Sequence, residues 1–345
     1  MIISRTPFRI SFFGGGTDYP AWYKEHGGAV LATSIDKYCY LSCRYLPPFF
    51  DQKYRIVYSR IELAKTIGEI EHPSVRCCLQ YMGITEGIEL VHNADLPART
   101  GLGSSSSFTV GLLHVLNALK GQMSDQRGLA ELAIHLEQNV IKENVGSQDQ
   151  ILAAFGGLKH VTFNADNFTV RPVPLPLARK DELQSHLMLF YTGISRMASD
   201  VAAHQIRNIP NRQGELMAMR QMVDDALGIL SGGSDIEDFG LLLHESWRLK
   251  RSLSSHVSTS LIDELYERAR VNGALGGKLL GAGGGGFFLV FAPPEAHLRI
   301  RQALAGLLHV PFRFEESGAQ LIFYSPSEAL PVAVPALPQT AGATA

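Results

Sequence analysis

The stretch P-A-R-T-G-L-G-S-S-S-S at Pro97–Ser107, continued by F-T-V-G-L-L-H-V-L-N-A-L at Phe108–Leu119, is the most informative part of this 345-residue chain. Two glycines and four serines run directly into a segment whose apolar residues recur at helical spacing. A glycine turn that opens onto a helix N-terminus offers backbone N–H groups and the positive end of the helix dipole, which suit a phosphate group. Serine hydroxyls can bond phosphate oxygens or reach a bridging Mg²⁺. An ordinary serine-capped helix is the alternative, so the phosphate interpretation depends on the other motifs.

The composition is typical of a globular protein with a large core. Apolar residues make up 46% of the chain and charged residues 19%, and 345 residues are enough for two domains. The formal net charge of −2 gives no basic field for nucleic acid, and no apolar run approaches the ~20 residues of a membrane span. We therefore expect a cytoplasmic protein with neither nucleic-acid nor membrane partners. The oligomeric state stays open, with a homodimer as one alternative.

The order of the elements predicts an α+β fold, because strands and helices mix without regular βαβ alternation. A helix is expected over residues 125–143, with Asp125 as a suitable cap. A proline-rich joint at Val170–Arg179 predicts a boundary between residues 1–175 and residues 176–330. Residues 331–345 lack an apolar period and are expected to be a disordered tail. The predicted N-terminal strands are Ile2–Arg5, Phe8–Phe13, Ala29–Ile35 and Cys39–Arg44.

A second glycine cluster, R-I-S-F-F-G-G-G-T-D-Y, runs from Arg9 to Tyr19. An apolar strand ends in three glycines, and Thr17 and Asp18 follow at once. Glycines allow a ligand to approach the backbone closely, and an acidic side chain just beyond them suits the hydroxyls of a sugar. Taken alone, the segment also fits a hairpin turn.

The third cluster, G-G-K-L-L-G-A-G-G-G-G-F-F-L-V-F, spans Gly276–Phe291. It contains G-x-G-x-x-G, but the dinucleotide fingerprint needs a strand before the glycines and a helix after them. Here a helix is predicted before the cluster and the strand Phe287–Phe291 after it, which excludes a Rossmann site. Lys278 is followed by leucine, which excludes a Walker A loop.

Two carboxylates lie within E-Q-N-V-I-K-E-N-V-G-S-Q-D-Q, from Glu137 to Gln150. Glu137 is predicted toward the end of a helix and Asp149 in a loop after Gly146. In a phosphoryl transfer such a pair would divide the work, one carboxylate anchoring Mg²⁺ and the other facing the attacking hydroxyl. A surface glutamate and a helix-capping aspartate are the alternative.

Together, the three glycine motifs and the acidic pair resemble the GHMP kinase superfamily, which includes galactokinase, homoserine kinase and mevalonate kinase. The motifs occur in the expected order from residue 5 to about residue 290. The resemblance implies an N-terminal domain like ribosomal protein S5 domain 2, a ferredoxin-like C-terminal domain, and ATP and Mg²⁺ as cofactors. The ATP-binding residues that it implies are Pro97, Gly101, Leu102, Gly103, Ser104, Ser105 and Ser106.

The same resemblance implies the catalytic residues. Asp149 falls on the catalytic aspartate and Arg9 on the catalytic cation, while Ser105 and Glu137 would hold Mg²⁺. Whether Asp149 accepts a proton or only orients the hydroxyl stays open. Galactokinases carry Glu and His where this chain has Gly15–Gly16, which puts galactose in doubt.

A closer likeness is to the D-glycero-D-manno-heptose 7-phosphate kinases, which share F-G-G-G-T-D-Y, Q-D-Q and the F-Y-T-G-I-S-R of Phe190–Arg196. It implies phosphorylation of the anomeric C1 hydroxyl to a 1,7-bisphosphate, an intermediate toward nucleotide-activated heptose for bacterial surface glycans. An L-fucokinase- or galactokinase-like sugar 1-kinase and a non-catalytic sensor on the same fold are the alternatives. The C7 phosphate needs a cation, for which Arg196 is the hypothesis and Lys278 or Arg179 the alternatives. The implied substrate-binding residues are Gly15, Gly16, Thr17, Asp18, Tyr191, Arg196, Gly283 and Gly284.

Overall fold

A computed structural model describes residues 1–98, 100–194 and 198–326. The strands are β1 (Ile2–Phe13), β2 (Gly28–Tyr45), β3 (Tyr54–Val57), β4 (Ile61–Ala64), β5 (Ile88–Ala94), β6 (Leu158–Phe163), β7 (Phe168–Pro172), β8 (Leu187–Tyr191), β9 (Gly276–Leu279), β10 (Phe287–Phe291), β11 (Leu308–His309), β12 (Phe314–Glu315) and β13 (Gln320–Tyr324). The helices are α1 (Pro20–His26), α2 (Pro73–Tyr81), α3 (Ser104–Leu119), α4 (Gln126–His135), α5 (Gln148–Phe155), α6 (Leu177–Ser185), α7 (Ala198–Asn208), α8 (Gln213–Ser231), α9 (Glu237–Ser252), α10 (Ser260–Val271) and α11 (His297–Ala303).

The larger sheet is built around the long strand β2. Strand β1 pairs with β2 along most of its length, while β6 pairs with the first half of β2 and β5 with the second half. The main path of the sheet is β13-β1-β2-β5-β3-β4, and β12 also pairs with β2. Helices α3 and α5 pack on β1 and β2. This packing brings the start of α3 beside β1, where the Arg9 N–H donates to the Leu102 carbonyl at 3.1 Å.

The smaller sheet is antiparallel, with the order β11-β8-β10-β9, and α9 and α10 pack against β9. The two sheets share one core, since buried Val223 of α8 and Leu289 of β10 belong to the same cluster as Phe12 of β1. The chain also returns to the larger sheet, because β12 and β13 pair with β2 and β1. The chain passes from the larger sheet to the smaller one between β7 and β8, where the boundary after residue 175 is predicted. The return of β12 and β13 to the larger sheet was not predicted.

Three elements that carry predicted site residues differ from the sequence prediction. Helix α4 is capped by Asp125 as predicted, with the Gly128 N–H donating to its carboxylate at 2.7 Å, but it ends at His135 and a π-helical turn carries Glu137. Asp149, predicted in a loop, lies in the first turn of α5. The third glycine cluster follows helix α10 as predicted, but it begins with strand β9, which was not predicted, so its glycines Gly281–Gly286 join two antiparallel strands.

The predicted α+β class is confirmed by this mixture of layers. The predicted disordered tail, residues 331–345, lies outside the described residues. No helix within residues 1–98, 100–194 or 198–326 combines the length and the apolar character needed to cross a membrane.

Candidate active site

A pocket of about 970 Å³ lies where β1, α3 and α5 meet the smaller sheet. We call residues 100–106 the serine loop and residues 280–286 the glycine loop. Both loops contribute to the pocket, together with the turn that follows β1. The pocket therefore collects residues from all three glycine-rich motifs.

The serine loop forms the wall at the start of α3. Gly101 and Gly103 have φ angles of 85° and 76°, a region that glycine occupies without strain. Ser104 is the first residue of the 16-residue helix α3, and Ser104, Ser105 and Ser106 all line the pocket. Backbone N–H groups in the first turn of a helix lack intrahelical acceptors, and the dipole there is positive. This wall suits the phosphates of a ligand.

The glycine loop packs directly on the serine loop. A Cβ on Gly281 would lie 2.5 Å from the Gly101 Cα, and one on Gly286 would lie 2.2 Å from the Thr100 carbonyl oxygen. The Phe287 N–H donates to the same carbonyl at 3.1 Å. The glycines of the third motif thus let two backbones touch, and this contact holds the serine loop in place.

Replacing Gly101 by Ala should destabilise the protein more than a matched glycine replacement does. The new Cβ would lie 2.3 Å from the Leu280 carbonyl oxygen, and such overpacking costs about 1–3 kcal/mol. Gly121→Ala is the control, since Gly121 has a φ of 69° but a Cβ added there would meet no atom within 4 Å. Both alanines would have a positive φ, so both variants lose a similar amount of stability from backbone strain. The difference between their free energies of unfolding in urea therefore measures the contact between the loops. Equal losses would show that this contact is unimportant.

Arg9 and Asp149 form a two-pronged ion pair at the centre of the pocket. Arg9 Nε and Nη2 each donate to one carboxylate oxygen of Asp149 at 2.7 Å, and Arg9 Nη1 donates to the Gly101 carbonyl at 2.6 Å. The Arg9 side chain is 4% exposed and that of Asp149 is 26% exposed. The buried guanidinium therefore fixes a carboxylate that a ligand can still reach, directly beside the serine loop.

Asp18 lies buried on the same side of the pocket. Its carboxylate accepts the backbone N–H groups of Gly16 at 2.9 Å and of Gln148 at 3.4 Å. Burial raises the pKa of Asp18, and the nearby charge of Asp149 adds to this. The Ser147 N–H also donates to the Asp18 backbone carbonyl at 3.0 Å. These bonds hold the start of α5 against the turn after β1 and so position Asp149.

Glu137 is fully buried behind the serine loop. Its Oε2 accepts hydrogen bonds from the Ser106 hydroxyl, at 2.9 Å, and from the side-chain amide of Gln150. Within the described part of the chain, its Oε1 is buried without a hydrogen-bond partner. Burial raises the pKa of Glu137 to about 7, although the side chains of Thr109, Gln150 and Ser106, which approach the carboxylate as donors, oppose the shift. A buried carboxylate oxygen without a partner next to a hydroxyl is a donor set that suits a hard divalent cation.

The serine beside Glu137 is Ser106, whereas the resemblance had paired Glu137 with Ser105. Successive residues of an α-helix point about 100° apart. Ser105 is exposed at the mouth of the pocket, and Ser106 faces inward toward Glu137. In the structure, the hydroxyl that adjoins Glu137 therefore belongs to Ser106, one position after the Ser105 that the resemblance implied.

Several residues implied by the resemblance do not line the pocket. Thr17 is buried, and its hydroxyl donates to the Gly14 carbonyl at 2.8 Å, so it stabilises the turn. Tyr191 packs on Phe287 with the ring centroids 5.2 Å apart. Pro97, Leu102, Glu137, Gly283 and Gly284 are likewise not among the residues that line it, and Glu137 adjoins the pocket through its hydrogen bond with Ser106.

Gly283 and Gly284 lie against Val257 instead. The Gly284 N–H donates to the Val257 carbonyl at 2.9 Å, and a Cβ on Gly283 would lie 2.6 Å from that oxygen. Arg179 is also remote from the pocket, since it pairs with Glu182 and donates to two backbone carbonyls. Arg196 lies outside the described residues.

Sequence patterns gave no indication of an aromatic cluster at one end of the pocket. The rings of His72 and Phe108 stack with centroids 4.7 Å apart, and Tyr58 and His92 meet them edge-on at 5.0 and 5.1 Å. All four side chains line the pocket next to the start of α3. They come from four separate segments, so no local motif could have signalled them. Flat rings at this end suit a purine base.

Models of known families match both halves of the chain. The GHMP kinases N terminal domain matches residues 70–157, and the GHMP kinases C terminal domain matches residues 225–308. The chain belongs to the GHMP kinase family, and the two-domain fold predicted by resemblance is confirmed. GHMP kinases are phosphotransferases that use ATP.

Comparison with individual proteins shows which members of the family this chain resembles. The D-glycero-alpha-D-manno-heptose 7-phosphate kinase of Campylobacter jejuni is 27% identical over 317 residues, which cover 88% of this chain and 93% of that protein. The L-fucokinase/L-fucose-1-P guanylyltransferase of Bacteroides fragilis is also 27% identical, over 88% of this chain but 36% of that longer protein. A crystal structure of a D-glycero-D-manno-heptose 1-phosphate kinase from Bacteroides thetaiotaomicron has a TM-score of 0.74 at 22% identity, covering 94% of this chain and all of that one, and shows the shared fold. The resemblance to heptose phosphate kinases is confirmed by these matches.

Proposed function

We propose that the protein is a sugar kinase that transfers the γ-phosphoryl group of ATP to the C1 hydroxyl of D-glycero-D-manno-heptose 7-phosphate. The observation that carries this proposal is the Arg9–Asp149 pair, held beside the serine loop in a single pocket. The similarity to the Campylobacter jejuni enzyme along nearly the whole chain supports the heptose substrate. The product would be the 1,7-bisphosphate, an intermediate for nucleotide-activated heptose.

ATP would lie along the wall that starts at the aromatic cluster. The rings of His72 and Phe108 are placed to hold the adenine, and the first turn of α3 follows directly. Backbone N–H groups and the serine hydroxyls of the loop would bind the β- and γ-phosphates. This orientation points the γ-phosphate toward Arg9 and Asp149.

Mg²⁺ is the metal expected with ATP, and the residues present fit it. The unpartnered, buried Oε1 of Glu137 and the hydroxyl of Ser106 would hold the ion. An ion held there would supply positive charge that offsets the negative charge of the ATP phosphates. Gln150 and the buried surroundings of Glu137 keep the carboxylate in position.

The transfer itself needs positioning and charge stabilisation from the protein. A bond forms between the sugar O1 and the γ-phosphorus while the bond to the β–γ bridging oxygen breaks, and ADP leaves with that electron pair. Asp149 faces O1 and either accepts its proton or orients the hydroxyl so that the proton leaves to solvent. Arg9 stabilises negative charge on the transferring group and fixes the plane of the Asp149 carboxylate.

The sugar would lie between Asp18 and Asp149. Gly15 and Gly16 leave space beside Asp18, and Gln148 adds an amide side chain to the same wall. Asp18 would accept hydrogen bonds from the sugar hydroxyls. Arg196 stays the hypothesis for a contact with the C7 phosphate, on the sequence motif alone.

Replacing Gly146 by Ala should raise the KM for the sugar by about tenfold or more, equivalent to ~1.4 kcal/mol of binding. The new Cβ would lie 1.9 Å from the Asp18 carboxylate, which must then move. Gly214→Ala is the control, because a Cβ there meets no atom within 4 Å. The KM for ATP should change little in either variant. An unchanged sugar KM in Gly146→Ala would remove Asp18 from the sugar site.

An L-fucokinase- or galactokinase-like sugar 1-kinase is the second candidate, and the fucokinase relative at the same identity favours it. A non-catalytic sensor on this fold is disfavoured because Arg9 and Asp149 pair inside the pocket and Glu137 is bonded to Ser106 directly behind it. The test is ADP release by the purified protein with Mg·ATP and D-glycero-D-manno-heptose 7-phosphate, sedoheptulose 7-phosphate, L-fucose, galactose or mevalonate. Turnover confined to the heptose phosphate supports the proposal. Turnover of L-fucose or galactose alone contradicts it, and ATP binding without any turnover would support the sensor.

A further inference from the structure

Two buried lysines line the pocket and are not used by the proposed transfer. Lys250 lies on α9 and is 4% exposed, and Lys278 lies on β9 and is 2% exposed. Both line the pocket that contains the Arg9–Asp149 pair. Lysine is rarely this buried unless its charge is paired.

The partners of these ammonium groups are backbone carbonyls. Lys250 Nζ donates to the carbonyl of Gly281 in the glycine loop and lies 3.5 Å from that of Leu279. Lys278 Nζ donates to the Phe12 carbonyl at the end of β1, at 2.8 Å. Among the carboxylates of the described residues, none lies within salt-bridge distance of either ammonium. A buried ammonium without an anion is strongly unfavourable.

The two nearby carboxylates already have other partners. Asp149 is bound on both oxygens by Arg9, and Asp18 accepts backbone N–H groups of the turn after β1 and of α5. Burial lowers the pKa of Lys250 to about 8 and, together with repulsion from Lys250 and Arg9, holds that of Lys278 well below its usual value. Arg9, Lys250 and Lys278 thus give this part of the pocket more positive than negative groups.

We propose that Lys250 and Lys278 form a subsite for a phosphate group of the substrates, which supplies the anion that the buried ammonium groups lack. The proposal deepens the function proposed above and rests on it for the identity of the ligand. Lys250 is also tied to Gly281, which packs on Gly101 of the serine loop. The subsite therefore adjoins the place where the terminal phosphate of ATP would lie. The bound group is either the transferring phosphoryl or the second phosphate of the sugar.

Binding of inorganic phosphate to protein saturated with Mg·ADP tests the subsite directly, because ADP fills the serine loop. Calorimetric titration should show at least about tenfold weaker phosphate binding in Lys250→Met and in Lys278→Met. Lys120→Met, an exposed lysine at the far end of α3, is the control and should bind like the wild type. Phosphate affinity within twofold of the wild type in both folded variants would overturn the proposal. Absence of ADP binding in the wild type would instead count against the proposed function.

The pH dependence of phosphate binding by the wild-type protein tests the proposal even if the methionine variants do not fold. The charged groups that face Lys250 are Arg9, Asp18, Asp149 and Lys278. A lysine with a pKa of about 8 loses its charge as pH rises through that value, so phosphate affinity should fall between pH 7.5 and pH 9, by about tenfold at the upper limit. Lys250→Arg should keep its affinity over the same range, since arginine stays charged. A flat wild-type profile would contradict a role for Lys250.

Steady-state kinetics with two sugars then shows whether the subsite binds the transferring phosphoryl group or the second phosphate of the sugar. If the subsite holds the second phosphate, Lys250→Met raises the KM for heptose 7-phosphate but leaves that for the unphosphorylated heptose unchanged. If it holds the transferring phosphoryl group, kcat falls with both sugars. Changes below twofold in kcat and KM with both sugars would overturn the proposal.

Discussion

Replacing Asp149 by Asn should lower kcat by about 10²-fold or more. The variant keeps the size of the side chain and one oxygen for Arg9, but it cannot accept a proton from the sugar O1. It also loses the second charged hydrogen bond that fixes Arg9, at 2.7 Å in the wild type. The KM for ATP should change little, because the serine loop and the aromatic cluster are untouched. Steady-state kinetics by ADP release provides the measurement.

Asp166→Asn is the matched control for this prediction. Asp166 lies exposed in the turn between β6 and β7, and its side chain has no part in the pocket. The control should keep full turnover, and circular dichroism should show that both variants fold. If Asp149→Asn retains near-normal turnover, Asp149 neither accepts the proton nor orients the hydroxyl.

Replacing Glu137 by Gln should weaken the apparent affinity for Mg²⁺ by about 10-fold to 100-fold. Loss of residues that only orient metal ligands already costs this much, and Glu137 is placed to be a direct ligand. Excess Mg²⁺ should therefore partly restore turnover. Because burial raises the pKa of Glu137 to about 7, the carboxyl stabilises the folded state at low pH, and this contribution is lost as pH rises through 7. At pH 8 the glutamine should therefore not destabilise the unligated protein.

Two comparisons decide whether the effect is specific to the metal. Glu131→Gln changes an exposed glutamate of α4 that pairs with Arg127, and should leave the Mg²⁺ dependence unchanged. Ser106→Ala should weaken Mg²⁺ activation more than Ser105→Ala, because the Ser106 hydroxyl lies 2.9 Å from Glu137 Oε2. A larger effect in Ser105→Ala would return the metal ligand to the position implied by the resemblance.

Local motifs were sufficient to identify the groups at the centre of the site. Arg9, Asp18, Asp149 and the serine loop are each marked by neighbouring glycines or by an adjacent helix start, and the structure brings them to one pocket. The glycine loop was also recognised, but its role was not. Its glycines are needed for backbone contact with Thr100 and Gly101, and only the folded chain shows that contact.

Strand lengths were underestimated because breaks in a pattern need not end a strand. The four predicted N-terminal strands are two long ones, β1 and β2. The register between them shifts between Pro7 and Phe8, where proline lacks an N–H to donate to the ladder. A bulge absorbs the irregularity, so the chain continues across it.

Local sequence patterns could not predict which residues tertiary packing brings together. The aromatic cluster collects side chains from β5, α3 and two segments between β3 and α2. Lys250 stands in a regular amphipathic helix and would be taken for a surface lysine. Its burial depends on the packing of α9 against β9. Glu137 was found, but the π-helical turn that carries it was not, because its periodicity differs little from that of α4 over five residues.

The most direct test of the central proposal is the identity of the product formed from Mg·ATP and D-glycero-D-manno-heptose 7-phosphate, observed by proton-coupled ³¹P NMR. The proposal predicts ADP and a new phosphate resonance that couples to the single anomeric proton, while the C7 phosphate resonance keeps its coupling to two protons. The same sample with Asp149→Asn should form this product at least about 10²-fold more slowly. ADP without the anomeric phosphate, or no ADP with a folded protein that binds ATP, would contradict a heptose 1-kinase.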